Sequence, residues 1–253
     1  MILIRSLAFQ ALFLTWTLAL SLLYLPLLAG PRRVLVGAAR LWLAGNLFLV
    51  RVVAGLSWEL RGRENLPPGG VLVAAKHQSA FDTMIFHMLL GDPAFILKKE
   101  LLRLPFIGWY LSRHRMIAID RKAGIRALKQ MAAEAKDAAA EGRQVVIFPE
   151  GTRTAPGDTA PYHSGVAMLY DALGVPVVPV ALNSGLFWAR ESILRRPGRV
   201  VVEILPPIQP GMDRRAFLAD LQGRIEAATN RLVEEGRAEF PHAAPPRAEV
   251  ACG

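Results

Sequence analysis

The sequence has a single cysteine, Cys252, close to its carboxyl terminus. One cysteine excludes an internal disulfide bond, and it excludes a metal cluster held by several thiolates. The sequence also lacks a Gly-x-Ser-x-Gly elbow, a P-loop, a Gly-x-Gly-x-x-Gly turn and a His-Glu-x-x-His helix motif. These absences argue against a serine hydrolase, the common nucleotide-binding folds and a zinc protease.

Acidic residues are few beside basic ones, with 21 Asp+Glu against 30 Lys+Arg and a net charge of +9. A basic protein binds nucleic acid, anionic lipid or a phosphorylated substrate. The sequence has no nucleic-acid-binding motif and no basic run with interleaved aromatic residues. The charge therefore favours lipid and phosphate, and nucleic acid is not an expected partner.

Charge is absent altogether from residues 6–30. Ser6 to Leu25 is long enough for an apolar helix of about 30 Å, the thickness of a bilayer core. A cleaved signal peptide is the alternative, but the run is longer than a signal core and no small-residue cleavage site follows it. A second apolar stretch, Val34 to Trp58, has only Arg40 and Arg51 as charges. We expect a retained membrane anchor.

On a helix, Arg40 and Arg51 fall within about 20° of one another, which gives a sparse cationic line on an apolar surface. Such a helix suits the headgroup level of a membrane, although a spanning helix with snorkelling arginines remains an alternative. If the first helix spanned the bilayer, Arg5 and the Arg32–Arg33 pair would lie on opposite sides, against the positive-inside bias at one end. We therefore predict a membrane-anchoring helical hairpin over residues 1–58, embedded from one face.

The rest of the chain alternates short apolar runs with helical periods, which predicts an α/β domain over residues 59–240 with a layered, mostly parallel sheet flanked by helices. The predicted strands are Val71–Ala75, Ala94–Leu97, Met116–Ile119, Val145–Phe148, Val177–Leu182 and Val200–Leu205. The predicted helices are Asp82–Leu90, Gly124–Gly142, Ser164–Leu173 and Asp213–Glu235, with Gly236 as the stop of the last. Residues 241–253, rich in Pro and Ala, are predicted to be a disordered tail.

A histidine and an aspartate, His77 and Asp82, directly follow the first of these strands. In sheets of this kind, active groups gather beyond the carboxyl ends of the strands. If the chain turns from loop into helix between them, Asp82 can fix the imidazole tautomer and leave the other nitrogen to take a proton from a hydroxyl. A structural histidine bonded to a helix-terminal aspartate is an equally common outcome of this spacing.

The hexapeptide Phe148–Arg153 also follows a predicted strand directly. Its Pro149 and Gly151 bracket a sharp turn, and Arg153 offers a planar fork to a phosphate or carboxylate. Glu150 is placed to bind a substrate hydroxyl or to hold that guanidinium. Read alone, the hexapeptide is equally compatible with a surface loop.

Three further cations, Lys98, Lys99 and Arg121, lie at the ends of two other predicted strands. A charge near a strand end is usually a solvated loop residue. Because several such loops share one edge of the sheet, we expect the cations to converge on one anion.

Together these motifs resemble the glycerolipid acyltransferase family, specifically its 1-acylglycerol-3-phosphate acyltransferases. The family pattern is His-x4-Asp, Lys-x-Glu-Leu-x3-Pro-x2-Gly, Ile-x-Arg, Phe-Pro-Glu-Gly-Thr-Arg and a Val-Pro-rich strand. The matching segments, in the same order, are His77–Asp82, Lys98–Gly108, Ile119–Arg121, Phe148–Arg153 and Val175–Leu182. The match covers a little under half of the chain.

The resemblance implies direct acyl transfer, with His77 as the general base and Asp82 holding it. The donor would be acyl-CoA or acyl carrier protein, as a co-substrate, and neither a cofactor nor a metal is implied. The acceptor would be a lysophospholipid, 1-acylglycerol-3-phosphate, and the product phosphatidic acid. The residues that the resemblance assigns to substrate binding are Lys98, Arg121, Glu150, Gly151, Thr152 and Arg153.

Two positions depart from the family pattern. Lys76, beside the base, stands where many members have Asn, and His163 stands where Lys is frequent. Another acceptor, such as lyso-ornithine lipid or glycerol 3-phosphate, therefore stays open, as does a non-catalytic membrane scaffold. Because donor thioesters are cytoplasmic, we expect the protein on the cytoplasmic face of the inner or plasma membrane, bound to the phospholipid bilayer.

Overall fold

The structure, a computed structural model, describes residues 1–120 and 123–243. Its helices are α1 Ile2–Leu23, α2 Arg32–Leu49, α3 Ala80–Leu89, α4 Ile107–Arg113, α5 Gly124–Ala140, α6 Gly165–Leu173 and α7 Arg214–Glu239. Its strands are β1 Leu56–Arg61, β2 Leu72–Ala75, β3 Pro93–Lys98, β4 Ile117–Ile119, β5 Gln144–Ile147, β6 Val177–Leu182 and β7 Gly198–Ile204. The predicted α/β architecture is confirmed.

Within the described residues, the strands form one sheet in the order β1-β7-β6-β2-β5-β3-β4. The five neighbours from β6 to β4 all run parallel. β7 runs antiparallel to β6 and parallel to β1. The sheet is therefore mixed but mostly parallel, and its five parallel strands end at one common edge.

Alternate residues of the central strand β2 face two different hydrophobic layers, as the period of two in a strand requires. Val73 and Ala75 pack with α3 and the amino-terminal helices. Leu72 and Ala74 pack with α5, α6 and α7. Because both faces are covered, the strands are continuous apolar runs, which is why they are recognisable in the sequence.

The two amino-terminal helices form a hairpin whose members are long and apolar enough to cross a membrane, at Ile2–Leu23 and Arg32–Ala54. Their contact is stabilised by reciprocal bonds, since the Trp16 indole donates to the carbonyl of Trp42 and the Trp42 indole to the Thr17 hydroxyl. Arg40 donates to the carbonyls of Leu90 and Gly91. Arg40 is exposed, as a cationic line on the helix surface requires, and its guanidinium also binds the backbone that follows α3.

The extension of the second apolar stretch to Trp58 as helix is also wrong. Gly55 adopts φ 73°, a left-handed conformation that ends the helical region and favours glycine. Residues Leu56–Arg61 then form the edge strand β1. The predicted boundary at residue 58 therefore falls inside a strand.

The last helix runs through Gly236 to Glu239, three residues past the predicted stop at Gly236. A side chain at Gly236 would collide with Leu186, so this glycine permits close packing of α7 against the 3-10 turn Ser184–Leu186. The predicted tail begins with the short 3-10 turn Pro241–Ala243, whose Ala243 is buried. Residues 244–253 lie outside the described residues.

Candidate active site

The candidate site lies at the edge where the five parallel strands end. His77 follows β2, the Phe148–Arg153 loop follows β5, and Lys98 ends β3. The loop of residues 183–197 follows β6. The fold therefore brings to one edge the segments that the sequence separates, as expected for active groups in such sheets.

The start of α3 explains the orientation of Asp82. Ser79 is the N-cap of α3, its hydroxyl accepts a bond from Phe81 N–H, and Asp82 completes a capping box by accepting from Ser79 N–H. A capping box turns the side chain of the third helical residue back towards the preceding loop. The same Asp82 oxygen lies 2.9 Å from Nδ1 of His77. The helix cap and the histidine partner are thus one carboxylate.

Asp82 is fully buried, and its carboxylate accepts four hydrogen bonds. Its Oδ2 accepts from His77 Nδ1 and from the N–H groups of Gln78 and Ser79, each of the latter at 2.8 Å. Its Oδ1 accepts from the Ser184 hydroxyl at 2.6 Å. Because a carboxylate only accepts, Nδ1 of His77 carries the proton and Nε2 keeps its lone pair.

The His77 ring is held from a second side. It stacks on Phe148 with ring centroids 4.0 Å apart and planes 17° apart. Its side chain retains 13% exposure. The imidazole is therefore fixed by stacking and by Asp82, while part of its surface reaches the cavity described below.

Glu150 lies behind His77. Its Oε2 accepts from the His77 backbone N–H at 2.8 Å, and its Oε1 accepts from the Thr154 hydroxyl at 2.6 Å. Thr154 N–H in turn donates to the His77 carbonyl at 2.8 Å. The burial of Glu150 raises the pKa of its carboxyl, and the neighbouring Lys76 opposes that shift. Glu150 therefore joins the two site loops, and its predicted contact with substrate has no counterpart in the cavity wall.

Lys76 points away from the cavity rather than beside the base. Its ammonium group lies 2.7 Å from Oε1 of Glu150 and 2.8 Å from Oε1 of Glu226. The Tyr162 hydroxyl also donates to Glu226. Two carboxylates thus hold the ammonium group of Lys76 in the interior of the domain.

A cavity of about 860 Å³ opens in front of His77. One part of its wall is apolar and reaches the amino-terminal hairpin, with Trp42, Leu43, Met84, Leu111 and Met116. Another part is polar, with His77, Lys98, Gly151, Thr152, Arg153, His163 and Arg190. Of the predicted substrate-binding residues, the structure brings Lys98, Gly151, Thr152 and Arg153 together here, and Arg121 lies outside the described residues.

Two residues of the β6 loop belong to the site and were missed by sequence reasoning. Ser184 binds Asp82, as above, and Arg190 lines the cavity with its guanidinium donating to the carbonyl of Arg153 at 3.3 Å. The sequence signal for both residues was their position after the Val-Pro-rich strand, because that strand ends at the same edge of the sheet as the other site segments. Asn183 and Trp188 of the same loop are buried.

His87, five residues beyond Asp82, has a packing environment. His87 stacks on Phe95 and bonds the carbonyl of Thr83, and burial lowers its pKa. Among the residues that the structure describes, no group of three or more His, Cys, Asp or Glu side chains is placed to hold a metal ion.

This arrangement can perform general base chemistry next to an anion site. A neutral imidazole with one nitrogen held by a carboxylate can take a proton from a hydroxyl and is stabilised as it becomes charged. The cations in the same cavity wall can bind a phosphate. The apolar part of the wall provides for a hydrocarbon chain.

Comparison with known proteins agrees with this chemistry. The model of the acyltransferase family matches residues 57–183. A 1-acyl-sn-glycerol-3-phosphate acyltransferase of Pseudomonas aeruginosa is 36% identical over 194 residues, which cover 77% of this chain and 76% of that protein. The 1-acyl-sn-glycerol-3-phosphate acyltransferase alpha of Mus musculus is 30% identical over 197 residues, covering 76% and 68%.

A solved structure has the same fold. The crystal structure of the 1-acyl-sn-glycerophosphate acyltransferase PlsC from Thermotoga maritima aligns with a TM-score of 0.76 and 21% sequence identity. The alignment covers 92% of this chain and 98% of that one, so the likeness extends over most of the fold.

Proposed function

Because the chain belongs to the acyltransferase family and is an enzyme of the 1-acyl-sn-glycerol-3-phosphate acyltransferase type, we propose that it moves a fatty acyl group from a thioester to the free hydroxyl of 1-acylglycerol-3-phosphate. The product is phosphatidic acid, and the donor is acyl-CoA or acyl carrier protein. The observation that carries the proposal is the His77–Asp82 pair, 2.9 Å apart, on the same cavity wall as Lys98 and Arg153.

In the proposed reaction, Nε2 of His77 takes the proton of the acceptor hydroxyl as its oxygen attacks the thioester carbonyl carbon. The resulting tetrahedral oxyanion collapses, the carbon–sulfur bond breaks, and the leaving thiolate takes the proton from the imidazolium. Asp82 stabilises the imidazolium while it exists. A thioester is already an activated acyl group, so one base and correct positioning supply the catalysis without a cofactor.

The acceptor's phosphate is proposed to bind at Lys98 and Arg153, with Arg121 as a further ligand. Arg153 offers a bidentate fork and Lys98 a compact charge, a combination suited to a phosphate monoester. Gly151 adopts φ 66°, which turns the loop sharply and leaves Thr152 and Arg153 in the cavity wall. The chain's excess of basic residues supports an anionic substrate.

The apolar part of the cavity is proposed to hold an acyl chain. Trp42 and Leu43 belong to α2 of the hairpin and line this cavity, so the hairpin forms part of its apolar wall.

 A lipid chain can therefore pass from the hairpin surface to the neighbourhood of His77 without crossing water. This continuity supports a lipid acceptor over a free, water-soluble one such as glycerol 3-phosphate.

The hairpin is proposed to lie in one face of the membrane, with the α/β domain at the cytoplasmic surface where donor thioesters occur. In α1, the Ser6 hydroxyl accepts from the N–H of Arg195, and the Ser21 carbonyl accepts from the Tyr110 hydroxyl. Fifteen residues of helix separate these contacts, about 22 Å along its axis. A helix held to the domain over that length is not surrounded by lipid as a spanning helix is, which supports a hairpin embedded from one side.

The same holds for α2. Arg32 forms an ion pair with Asp92, and Arg40 donates to the carbonyls of Leu90 and Gly91. Both helices therefore lie along the domain, while many of their other apolar side chains remain exposed to a surrounding medium.

The test is an acceptor and donor panel with the full-length protein in liposomes, using labelled acyl-CoA and labelled acyl carrier protein. We expect labelled phosphatidic acid from 1-acylglycerol-3-phosphate, and much less product from lyso-ornithine lipid or glycerol 3-phosphate. A preference for a non-phosphorylated acceptor would overturn the assignment of the acceptor. Absence of acyl transfer to every acceptor would overturn the enzymatic proposal and favour a membrane scaffold.

A further inference from the structure

We propose that the α/β domain has a membrane contact of its own beside the cavity, formed by Leu101, Leu104, Ile107 and Trp109, here called the rim patch. Its partner is the surface of the phospholipid bilayer. The inference rests on the proposed membrane location of the hairpin and extends it to a segment outside the hairpin. The rim patch spans the 3-10 turn Lys99–Arg103 and the first turn of α4.

The rim patch exposes large apolar side chains on consecutive turns. Ile107 is 50% exposed and Trp109 is 51% exposed. Leu101 and Leu104 are exposed as well. Single exposed apolar residues are ordinary, but four within nine residues of an enzyme domain mark a contact surface.

The backbone between these residues holds them outward. Phe106 adopts φ 61°, an unusual conformation for a residue with a side chain, directly before α4. Its ring packs against Trp109 with centroids 5.2 Å apart. Gly108 contacts the backbone of Leu102 so closely that a side chain there would collide with it. The turn is therefore compact, and its apolar side chains are exposed from a tightly packed backbone.

The rim patch continues the apolar surface of the hairpin. The Tyr110 hydroxyl donates to the carbonyl of Ser21, at the end of α1, at 2.7 Å. Arg113 donates to the carbonyls of Leu28 and Gly30, in the connection between α1 and α2, at 2.8 Å each. α4 is thus bound to the hairpin turn, next to the exposed Leu22 and Leu23.

The residues around the rim patch fit the headgroup layer. Lys99, Arg103 and Arg113 are exposed beside it. Cations beside a tryptophan and aliphatic side chains favour an anionic lipid surface, where the rings lie at headgroup depth and the cations meet phosphates. A protein partner with an apolar face is less well matched, because the surface continues into the hairpin.

The rim patch also lies where substrate has to enter. Leu101 lines the cavity, and so does the adjacent Lys98. A bilayer contact at this point holds the polar end of the cavity at headgroup depth. A lysolipid can then move its phosphate to Lys98 while its chain stays in an apolar medium.

The experiment measures membrane contact at single labelled positions of the full-length chain. In a Cys252→Ser background, Ile107→Cys, Leu14→Cys and Met212→Cys each carry a polarity-sensitive fluorophore. Leu14 is an exposed hairpin residue. Met212 is an exposed residue near Ile208, which pairs with Val177 at the other end of β6, far from the strand ends that form the site. The probe is a liposome of phosphatidylethanolamine and phosphatidylglycerol, with and without brominated lipid.

We expect the labels at Ile107 and Leu14 to shift to shorter emission wavelength in liposomes and to be quenched by brominated lipid, and the label at Met212 to do neither. Quenching at Leu14 without quenching at Ile107 would overturn the rim patch and leave the hairpin anchor intact. Quenching at neither position would overturn both the anchor and the rim patch. A label at Trp109→Cys provides a second reading of the same surface.

The effect of the rim patch on catalysis is tested with a double variant that carries both Ile107→Asn and Trp109→Gln. Loss of two side chains from the bilayer contact should raise the apparent KM for lysolipid presented in liposomes by roughly threefold to tenfold. Turnover with a short-chain lysolipid dissolved as monomer should be unchanged. An unchanged KM in liposomes would contradict the proposed contact.

Discussion

The ammonium group of Lys76 lies 2.8 Å from Oε1 of Glu226, although the two residues are 150 positions apart in the chain. Lys76 directly precedes His77, and Glu226 lies in α7. Because Lys76 also binds Glu150, which accepts from the His77 backbone N–H, the last helix is connected to the loop that holds His77. The interior of the domain thus contributes to the position of the imidazole.

Replacement Lys76→Met should be strongly destabilising. It leaves the carboxylates of Glu150 and Glu226 buried without their cation, and breaking a buried pair in this way costs about 3–5 kcal/mol. The measurement is the free energy of unfolding by denaturant for wild type and variant.

The matched control is Arg231→Met. Arg231 also contacts two carboxylates, Glu203 and Glu235, but its side chain is 47% exposed. Its loss should cost no more than about 1 kcal/mol. Equal effects of Lys76→Met and Arg231→Met would show that burial does not make the Lys76 network important.

Ser184→Ala should slow turnover while leaving substrate affinity nearly unchanged. The Ser184 hydroxyl donates to Oδ1 of Asp82 at 2.6 Å, so its loss frees the carboxylate that fixes the His77 tautomer. Asp82→Asn should be more severe, since proton transfer by a positioned base contributes about 10²–10⁴-fold. Steady-state kcat and KM for the acceptor measure both effects. A rise in KM with unchanged kcat in either variant would contradict a positioning role.

Arg153→Ala should weaken binding of the acceptor more than it slows turnover. Arg153 lies in the cavity wall, and its guanidinium is proposed to bind the phosphate monoester. The expected result is a higher KM for 1-acylglycerol-3-phosphate, and the measurement is a set of initial rates over a range of acceptor concentrations. A neutral monoacylglycerol serves as the control acceptor, because it has no phosphate to lose contact with. A KM unchanged for the phosphorylated acceptor would remove Arg153 from the phosphate site.

Because His114 is buried, the folded state should become less stable as the pH falls from neutral into the mildly acidic range. Burial lowers the pKa of His114 from 6.5 to about 4, with further contributions from His87, Arg32 and Arg143 against an opposing one from Asp92. In the unfolded chain the imidazole of His114 takes up a proton below about pH 6.5, whereas in the folded chain it does so only near pH 4. The unfolding free energy should therefore fall between these pH values, by roughly 3 kcal/mol in total at 1.36 kcal/mol per pKa unit.

The measurement compares denaturant unfolding of wild type and His114→Gln from pH 7 to pH 4.5. The variant should lose less stability than wild type over this range. Parallel curves for the two proteins would show that the buried imidazole is not the source of the pH dependence.

Much of the fold could be predicted because the parallel strands are buried on both faces. Runs such as Val177–Leu182 are then apolar throughout and stand out in the sequence. Edge strand β1 was missed because most of its residues are only partly buried, so it is not a continuous apolar run, and because it follows an apolar helix without a charged break. The turn at Gly55 separates the apolar helix from β1. It has a left-handed backbone conformation, which glycine permits, but the presence of a glycine does not by itself predict that conformation.

The candidate site was predictable where a side chain lies in a motif next to a strand end. His77, Asp82, Lys98 and Arg153 are of that kind. Glu150 was expected to bind substrate, and its burial against Lys76 could not be predicted, because that contact depends on the pairing of β2 with β5. Ser184 reaches Asp82 from 102 residues away, a contact that depends on the order of β6 beside β2.

The most direct test of the central claim is the turnover of His77→Ala, full length in liposomes, with 1-acylglycerol-3-phosphate and labelled acyl-CoA. His242→Asn is the control, because His242 is an exposed residue of the Pro241–Ala243 turn. We predict that kcat falls by about 10²–10⁴-fold in His77→Ala, the usual contribution of a positioned general base, while the control stays at the wild-type rate. Wild-type turnover in His77→Ala would contradict the account.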